Sequence, residues 1–457
     1  MITYQDYEKA GNKLWFLSEA ITRHEGGQEY GMAKAADAYD RQANITVNKA
    51  AQLYSEGETG QKIASNFFHR LNVQRCAYLL GNGVSFANTS ERKNEAGATI
   101  QVDTTKERLG ARFDGDLYAW GYKALIHGVC FAYWNGERLQ VFPVTQFVPF
   151  WDEQTGALRA GLRYWRLEKD RPLQAEFYEL EGMTRLRSES GTVGNTLAIV
   201  EPRRPYIRTY TRTEAGEIIA EEWHNYPSLP VIPMWGSSLR QSTLVGMRGA
   251  IDAYDLIQSG FAQNLRECAT IYWLIENNGG MTQNDRAEFL RQIKEEHIAN
   301  VDSAGFNGDV RNALTPYTQE VPHQGATAYL ELARRQLFED FGALDVHAIA
   351  AGSTNDHIDA AYQPMDEQAD DFEYQVIEAV QAVLRLMGIE DTPIFKRNRI
   401  SNTKEQVEAV MLASSALDAE TVIDLLPLLT VDQRQAAKER LDRENYERFN
   451  GGDDEEE

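Results

Sequence analysis

Apolar side chains recur at alternating steps of three and four residues in two neighbouring segments, 326–344 and 358–387. Such a stripe marks one face of an α-helix. The pattern therefore predicts two helices, the second of about 30 residues and roughly 45 Å long. The stripe of this longer helix consists of Ile358, Tyr362, Met365, Ala369, Phe372, Val376, Ala379, Val383 and Leu386.

A run of small and polar residues, from Ala350 to Asp356, separates these two helices. Residues of this kind favour turns over helices, so the segment is predicted to be a loop. Pro364 follows shortly inside the longer helix, where its missing N–H removes one backbone hydrogen bond. We expect a bend there that acts as a hinge for the loop.

A third helix is predicted between Leu239 and Cys268. Its glycines and alanines leave other faces nearly bare, and small residues let helices approach closely. An apolar stripe together with a small-residue face suits a helix that touches partners on more than one side, and one chain is not expected to cover both faces. The stripe consists of Leu244, Met247, Ile251, Tyr254, Phe261 and Leu265.

The apolar period changes to two between residues 129 and 235, which is typical of β-strands. Segments 129–134 and 138–143 flank the turn sequence Asn135-Gly136 and predict a hairpin. Before this layer we expect helices at 60–80 and 113–128 and a polar loop at 90–95. Further strands are expected at 161–167, 175–180, 184–187 and 205–211, and the layer is expected to end at Pro227, Pro230 and Pro233.

A small α/β insert is expected after the third helix. It comprises a strand at 271–275, a helix at 282–298, and short strands near 298–301 and 317–321. The last segment is predicted to form helices that begin near residues 403, 418 and 431. The final stretch, from Gly451 to Glu457, is expected to be a flexible acidic tail.

The 457 residues carry a formal net charge of −23. Because proteins that bind nucleic acid tightly are normally basic, this charge argues against a strong electrostatic hold on phosphates. Cys76, Cys130 and Cys268 form no motif, which indicates reduced, buried thiols in an intracellular setting. No signal peptide and no apolar run of ~20 residues is present, so we expect no membrane partner.

A cluster of carboxylates at 366–373 is the strongest candidate for chemistry. Asp366, Asp370 and Asp371, with a nearby histidine, could serve a metal-dependent nuclease or hydrolase, and we keep this as the alternative function. A solvated helix face explains the cluster more simply. We therefore predict that the chain is not an enzyme and has no cofactor and no metal site.

Several stretches occur in the same order as in the portal proteins of tailed bacteriophages, in the branch like the siphophage portals. Residues 78–84 resemble the family sequence YLLGNPV, with Gly83 in place of proline, and residues 125–133 resemble LIxGxAY. Ile251 to Tyr254, with Ser259 and Asn264, resembles the family's stem helix. Residues 402–421 resemble its C-terminal crown, whereas residues 356–362 lack the lysine of the family's SGxALK segment.

The resemblance implies an α+β portal fold with a mainly helical wing, stem and crown, a β-rich wing layer and a small α/β clip. It implies a ring of about twelve copies at one capsid vertex, assembled in the host cytoplasm and part of the virion. Viral double-stranded DNA would be packaged through this channel by the terminase motor and later ejected through the tail. Expected partners are the terminase large subunit, a head–tail adaptor, the major capsid and scaffolding proteins, and DNA without sequence specificity. Another head–tail connector ring protein is the alternative within this class.

The resemblance also gives each segment a role: wing 1–238, stem helix 239–268, clip 269–325, second stem helix 326–345, tunnel loop 346–357, long wing helix and return strand 358–401, crown 402–450 and tail 451–457. The apolar stripe of the stem helix would face neighbouring subunits. The clip would contact terminase and adaptor through Tyr272, Trp273, Arg286, Phe289 and Arg291. The tunnel loop beside the DNA would comprise His347, Ala350, Ala351, Gly352, Ser353, Thr354, Asn355 and Asp356.

Overall fold

The chain divides into two compact units in the computed structural model. The first comprises Met1–Ala43, Asn66–Gly249 and Arg335–Glu457, and the second comprises Asn44–Ser65 and Ala250–Arg334. The structure describes residues 2–49, 61–93, 99–168, 170–188, 197–212, 218–268, 272–275, 282–284, 287–288, 291, 314–317, 323–345, 354–399, 403–415, 417–426, 428–429, 433–434, 436–438, 440–441 and 443.

Helices and strands both occur throughout the described chain, and the predicted α+β fold class is confirmed. The helices of the described residues are Tyr4–Lys9, Lys13–Glu25, Gln28–Asp40, Ile45–Lys49, Phe67–Leu80, Thr104–Leu109, Phe113–His127, Leu244–Cys268, His323–Phe341, Asn355–Leu386, Thr403–Ala413 and Ala419–Leu425.

The described strands, numbered β1 to β16, pair antiparallel. In chain order, their bounds are Val84–Phe86, Thr89–Lys93, Thr99–Asp103, Val129–Trp134, Leu139–Pro143, Phe147–Trp151, Leu158–Trp165, Gln174–Glu179, Gly182–Ser188, Leu197–Arg204, Ile207–Arg212, Ile218–His224, Val231–Trp235, Tyr272–Ile275, Leu314–Tyr317 and Pro393–Phe395. Strands β6 to β10 form a sheet in the order β10-β9-β8-β7-β6, and a second sheet has the order β13-β4-β5. The remaining pairs are β1 with β16, β2 with β3, β11 with β12, and β14 with β15.

The predicted hairpin of β4 and β5 is confirmed. Trp134 pairs with Leu139 at its closed end. The Asn135 side chain accepts hydrogen bonds from the backbone N–H groups of Glu137 and Arg138, at 3.0 and 2.9 Å. Gly136 has a φ of 93°, a conformation that glycine adopts readily. These two residues therefore set the turn, as the sequence indicated.

Three local predictions are wrong, each because a tertiary contact overrides the local pattern. Pro233 does not close the β layer but lies within β13, which is an edge strand, where a missing N–H is tolerated. The helix expected at 60–80 begins only at Phe67, because the N–H groups of Ile63 and Ser65 donate to side chains instead. The loop expected at 90–95 contains strand β2, which pairs with β3.

The apolar stripe of the long helix, Asn355–Leu386, is confirmed, since all nine predicted positions are buried. Phe372 and Val376 belong to a core cluster that also contains Trp120 and Met234. Burying a side chain such as Phe372 contributes about 1.5–3 kcal/mol. This helix therefore anchors the first unit.

The N-terminal segment of the first unit also belongs to a core. The helices Tyr4–Lys9 and Lys13–Glu25 contribute Tyr7 and Leu17 to a cluster with Phe150 and Phe177 of the large sheet. The rings of Tyr7 and Phe177 lie 4.9 Å apart. This segment covers one face of the sheet.

Candidate functional site

The chain itself covers only part of the apolar stripe on Leu244–Cys268, which we call the first stem helix. Ile251 is 1% exposed, whereas Leu265 is 44% exposed. The expectation that one chain leaves the stripe uncovered is therefore wrong for its first half, and contact of the second half with other subunits stays a prediction. The buried positions are Leu244, Met247 and Ile251, and the partly exposed ones are Tyr254 and Phe261.

A second stripe on the first stem helix is polar, and the apolar pattern did not reveal it. Asp252, Asp255, Ser259 and Gln263 follow one another at steps of three and four residues, so they share one face. The last three are buried. This face holds residues 44–49 and 61–65, which we call the N-terminal strap.

Hydrogen bonds from the strap reach each position of the polar stripe. Asp255 accepts from Asn44 Nδ2 at 2.8 Å and from the Ser65 N–H at 3.0 Å. The remaining contacts run from Thr46 Oγ1 to Asp252 at 2.7 Å, from the Ile63 N–H to Ser259 Oγ at 3.0 Å, and from the Gln61 N–H to Gln263 at 3.4 Å.

Asp255 is the electrostatic centre of this stripe, because its side chain is fully buried. Burial raises the pKa of its carboxyl group above the ordinary value, and the nearby charge of Asp252 adds to this. The hydrogen bonds from Ser65 and Asn44 act in the opposite direction. The arrangement fixes the strap to the first stem helix.

The helix His323–Phe341, the second stem helix, leaves large apolar side chains exposed. Ala333 and Leu337 are buried as predicted. Tyr329 and Leu332, on another face, are 41% and 51% exposed. The predicted stripe did not include these two residues, although their spacing by three places them on one face of the helix.

Most of the predicted tunnel loop, including His347 and Ala350 to Ser353, lies outside the described residues. Thr354 occupies the N-cap position of the long helix, so Asn355 and Asp356 are helical and do not belong to the loop as predicted. The physical reason is that an acidic residue in a first helical turn is favoured by the helix dipole. The bend expected at Pro364 stays a prediction.

The segment predicted to be the clip, 269–325, is described only in part. Its predicted strand 271–275 is confirmed as Tyr272–Ile275, and its partner strand is Leu314–Tyr317 rather than 317–321. Arg291 donates to Glu288 at 3.0 Å within a helical segment. Arg286, Phe289, the strand expected at 298–301 and the side chains of Tyr272 and Trp273 lie outside the described residues.

A family model described as "Phage portal protein, SPP1 Gp6-like" matches residues 38–448. The chain belongs to this portal protein family. The resemblance drawn from short motifs is thereby confirmed over most of the sequence.

The portal chain is 22% identical to the portal protein of Clostridium phage phiCD119 over 242 residues. This match covers 50% of the portal chain and about half, 52%, of that relative. A chain in the neck of an empty gene transfer agent particle shares 9% identity over 84% of this chain and 94% of its own, with a TM-score of 0.40. A portal protein of the HK97 family from Corynebacterium diphtheriae shares 12% identity, and the match covers 41% of this chain and 70% of that protein's chain, with a TM-score of 0.23. Both TM-scores are below 0.5, so the assignment depends on the family match.

The carboxylates of the long helix, considered above for a metal-dependent enzyme, are engaged by arginines in the portal chain. Arg397 donates to Asp366 at 2.8 Å and to Glu373 at 3.0 Å, and it also contacts Asp370. Asp371 accepts the backbone N–H of Ser238 at 3.0 Å. The side chains that the nuclease hypothesis needs as metal ligands therefore hold the fold together.

Arg399 and Tyr78 complete this cluster. Tyr78 donates to Asp366 at 2.6 Å and accepts from Arg399 Nε at 2.8 Å. Partial burial raises the pKa of Asp366, but the hydrogen bonds from Tyr78, Arg399 and Arg397 outweigh it and hold that pKa below its ordinary value. Within the part of the portal chain that the structure describes, His, Cys, Asp and Glu side chains form no group of three or more suited to a metal ion.

The C-terminal helices of the portal chain, in the predicted crown, expose apolar side chains that sequence analysis did not single out. Asp418 caps the helix Ala419–Leu425 by accepting the Thr421 N–H at 3.0 Å, as the predicted helix start requires. This helix buries none of its residues. The exposed apolar side chains of the region include Met411, Leu412, Leu425 and Leu428.

The remaining general expectations concern thiols and membranes. Cys76 and Cys130 are buried and unbonded to each other, as predicted, and burial raises the pKa of both thiols. Among the described helices, none combines the length and the apolar composition that crossing a bilayer requires.

Proposed function

We propose that this chain is the portal subunit of a tailed phage, of which about twelve copies form a ring at one capsid vertex. Double-stranded viral DNA passes inward through the ring, driven by the terminase large subunit, and outward through a head–tail adaptor. The ring is part of the virion and contacts the major capsid and scaffolding proteins. The subunit has a structural role and catalyses no reaction.

The observation that carries this proposal is the family match over residues 38–448. It spans the segments predicted as stem helices, clip and long helix, and most of those predicted as wing and crown. The length of the match also favours a portal over a shorter head–tail connector protein.

Exposed apolar side chains support the ring. Leu265 on the first stem helix and Tyr329 and Leu332 on the second are exposed by 44%, 41% and 51%. Large apolar side chains exposed on neighbouring turns typically mark a surface that another protein covers. In a closed ring, a neighbouring copy covers them on every subunit.

The net charge of −23 supports passage of DNA without adhesion. A basic channel wall would release counterions and bind the phosphate backbone, which would slow translocation. The tunnel-loop residues 346–353 include neither Lys nor Arg. A loop of this composition touches DNA without holding it.

Deletion of Ala350 to Ser353, which lie within the predicted tunnel loop, tests the role in packaging. Capsids assembled with the shortened chain and a matching terminase are expected to form normally but to protect less DNA from nuclease than capsids with the parent chain. A matched control deletes four residues of the acidic tail, Asp454 to Glu457. Normal packaging by the loop deletion would contradict an active role of the loop.

A further inference from the structure

A cavity of about 360 Å³ lies in the first unit, between the large sheet and the hairpin of β11 and β12. Its walls include Tyr133, Tyr206, Trp223, Arg185, Arg204 and Arg208. It lies within the predicted wing, and the role given to the wing does not require a cavity. Its size falls within the range of small-molecule sites, about 300–1,000 Å³.

Aromatic rings form one part of this cavity wall. The ring of Tyr206 lies 6.0 Å from that of Tyr133 and is nearly parallel to that of Tyr178, at an interplanar angle of 4°. Trp223 is 39% exposed on the hairpin side. Flat rings arranged around an open space favour a planar aromatic guest, because ring faces stack on one another.

Guanidinium groups form the other part. Arg185 and Arg204 both contact Glu201, at 3.0 and 3.2 Å, and Arg208 is paired with Glu221. These side chains are between 41% and 45% exposed, and ion pairs at such positions contribute little. Arg185 also lies 3.5 Å from Glu176, whereas Arg204 and Arg208 are each paired with one carboxylate. Because a guanidinium has five N–H donors, several donors of Arg204 and Arg208 are available.

Two uncharged groups of the cavity are unpaired, whereas the Tyr206 hydroxyl already donates to the backbone carbonyls of Glu179 and Gly182. In the described part of the chain, the hydroxyl of Tyr133 and the side-chain amide of Gln140 have no hydrogen-bond partner. Glu176, the one carboxylate of the lining, is already occupied by Tyr178 at 2.8 Å and Arg163 at 3.2 Å. The cavity therefore offers free donors to a guest that supplies acceptors.

We propose that this cavity binds a nucleoside 5′-monophosphate group, with the base against the aromatic rings and the phosphate at Arg204 and Arg208. Guanidinium groups match phosphate through paired N–H donors, which lysine cannot provide. Bases of any sequence stack on tyrosine and tryptophan. The group can come from a free nucleotide or from the 5′-phosphorylated end of a DNA strand. The proposal does not depend on ring formation.

Titration of the full-length chain with AMP, adenosine and inorganic phosphate, followed by calorimetry and by tryptophan fluorescence, tests the site. AMP is expected to bind saturably, and adenosine and phosphate each at least about tenfold more weakly, because each supplies half of the contacts. Absence of saturable AMP binding up to about 10 mM would overturn the proposal. Phosphate binding as tightly as AMP would overturn it as well.

Two substitutions locate the site, and one serves as a matched control. Arg204→Gln and Trp223→Leu are each expected to weaken AMP binding by about tenfold or more. Arg187→Gln, at an exposed position of β9 that does not line the cavity, is expected to change it less than about twofold. Circular dichroism verifies the fold of each variant, and Arg208→Lys, which keeps the charge, provides a further test if one variant unfolds. AMP binding unaffected by all the cavity variants would refute the site.

A competition experiment distinguishes the two sources of the ligand. A short single-stranded oligonucleotide with a 5′-phosphate that displaces AMP, where the same strand without the phosphate does not, would identify a DNA end as the ligand. Displacement by neither strand would identify the free nucleotide. Displacement by both strands equally would contradict a phosphate-directed site.

Discussion

Asn44 Nδ2 donates a hydrogen bond to Asp255 Oδ2 across 2.8 Å, although the two residues are 211 positions apart. The oxygen of the same Asn44 side chain accepts the N–H groups of Thr46 and Val47 and so caps the short helix Ile45–Lys49. One side chain thus begins a helix and joins the strap to the first stem helix. Both roles are open to separate tests.

Asn44→Asp is expected to destabilise the strap, because it replaces a donor with a second carboxylate beside buried Asp255 while keeping a good N-cap. We expect the free energy that holds the strap on the first stem helix to fall by about 2 kcal/mol or more. Hydrogen exchange of the backbone amides of residues 45–49 and 252–263 measures this local stability. Asn44→Ala, which removes both the cap and the donor, is the comparison. Exchange in Asn44→Asp as slow as in the parent chain would show that the contact does not hold the strap.

Asp255→Asn is expected to change how stability depends on pH. The folded-state pKa of Asp255 is raised, so its contribution is fully present below the unfolded-state pKa, about 3.9, and is lost as pH rises through the raised value. Asparagine does not titrate. The stability of the variant relative to the parent chain should therefore improve as pH rises through this window. Thermal unfolding of both chains at a series of pH values measures this. A stability difference between variant and parent chain that stays constant with pH would contradict a raised pKa of Asp255.

Arg397→Gln is expected to lower stability by about 2–3 kcal/mol, because three carboxylates would lose the cation that they share. The Arg397 side chain is 23% exposed, and those of Asp366 and Glu373 are 20% and 25% exposed, so solvent screens these pairs only in part. Urea unfolding measures the change in the free energy of unfolding. Arg385→Gln, an exposed arginine of the long helix, is the control and should cost less than about 0.5 kcal/mol. Equal losses of stability from the two substitutions would contradict a specific role of Arg397 in holding the carboxylates.

Leu332→Asp is expected to prevent ring assembly while the chain stays folded, since Leu332 is 51% exposed within one chain. Sedimentation velocity with circular dichroism separates assembly from folding. The matched control is Ile251→Ala at a buried position, which should instead cost about 2–5 kcal/mol of stability. Rings of normal size from Leu332→Asp would show that this face is not the contact.

The periodic parts of the fold were predictable from sequence because their burial repeats along the chain. The nine buried positions from Ile358 to Leu386 follow steps of three and four residues. The hairpin at Asn135-Gly136 followed from turn residues between alternating strands. In both cases, local preference and tertiary packing agree.

The strap and the arginine cluster were not predictable, because they depend on contacts between distant residues. Thr46 meets Asp252 across 206 positions, and Arg399 meets Tyr78 across 321. A single aspartate looks the same in a sequence whether it faces water, a metal ion or an arginine. The same limit explains why the carboxylates at 366–373 suggested a metal site.

Electron microscopy of the purified full-length chain, in negative stain at high protein concentration, tests the portal assignment most directly. Annular particles with a central opening and about twelve-fold symmetry are the predicted result. A chain that stays monomeric at every concentration, with no annular particles, would contradict it.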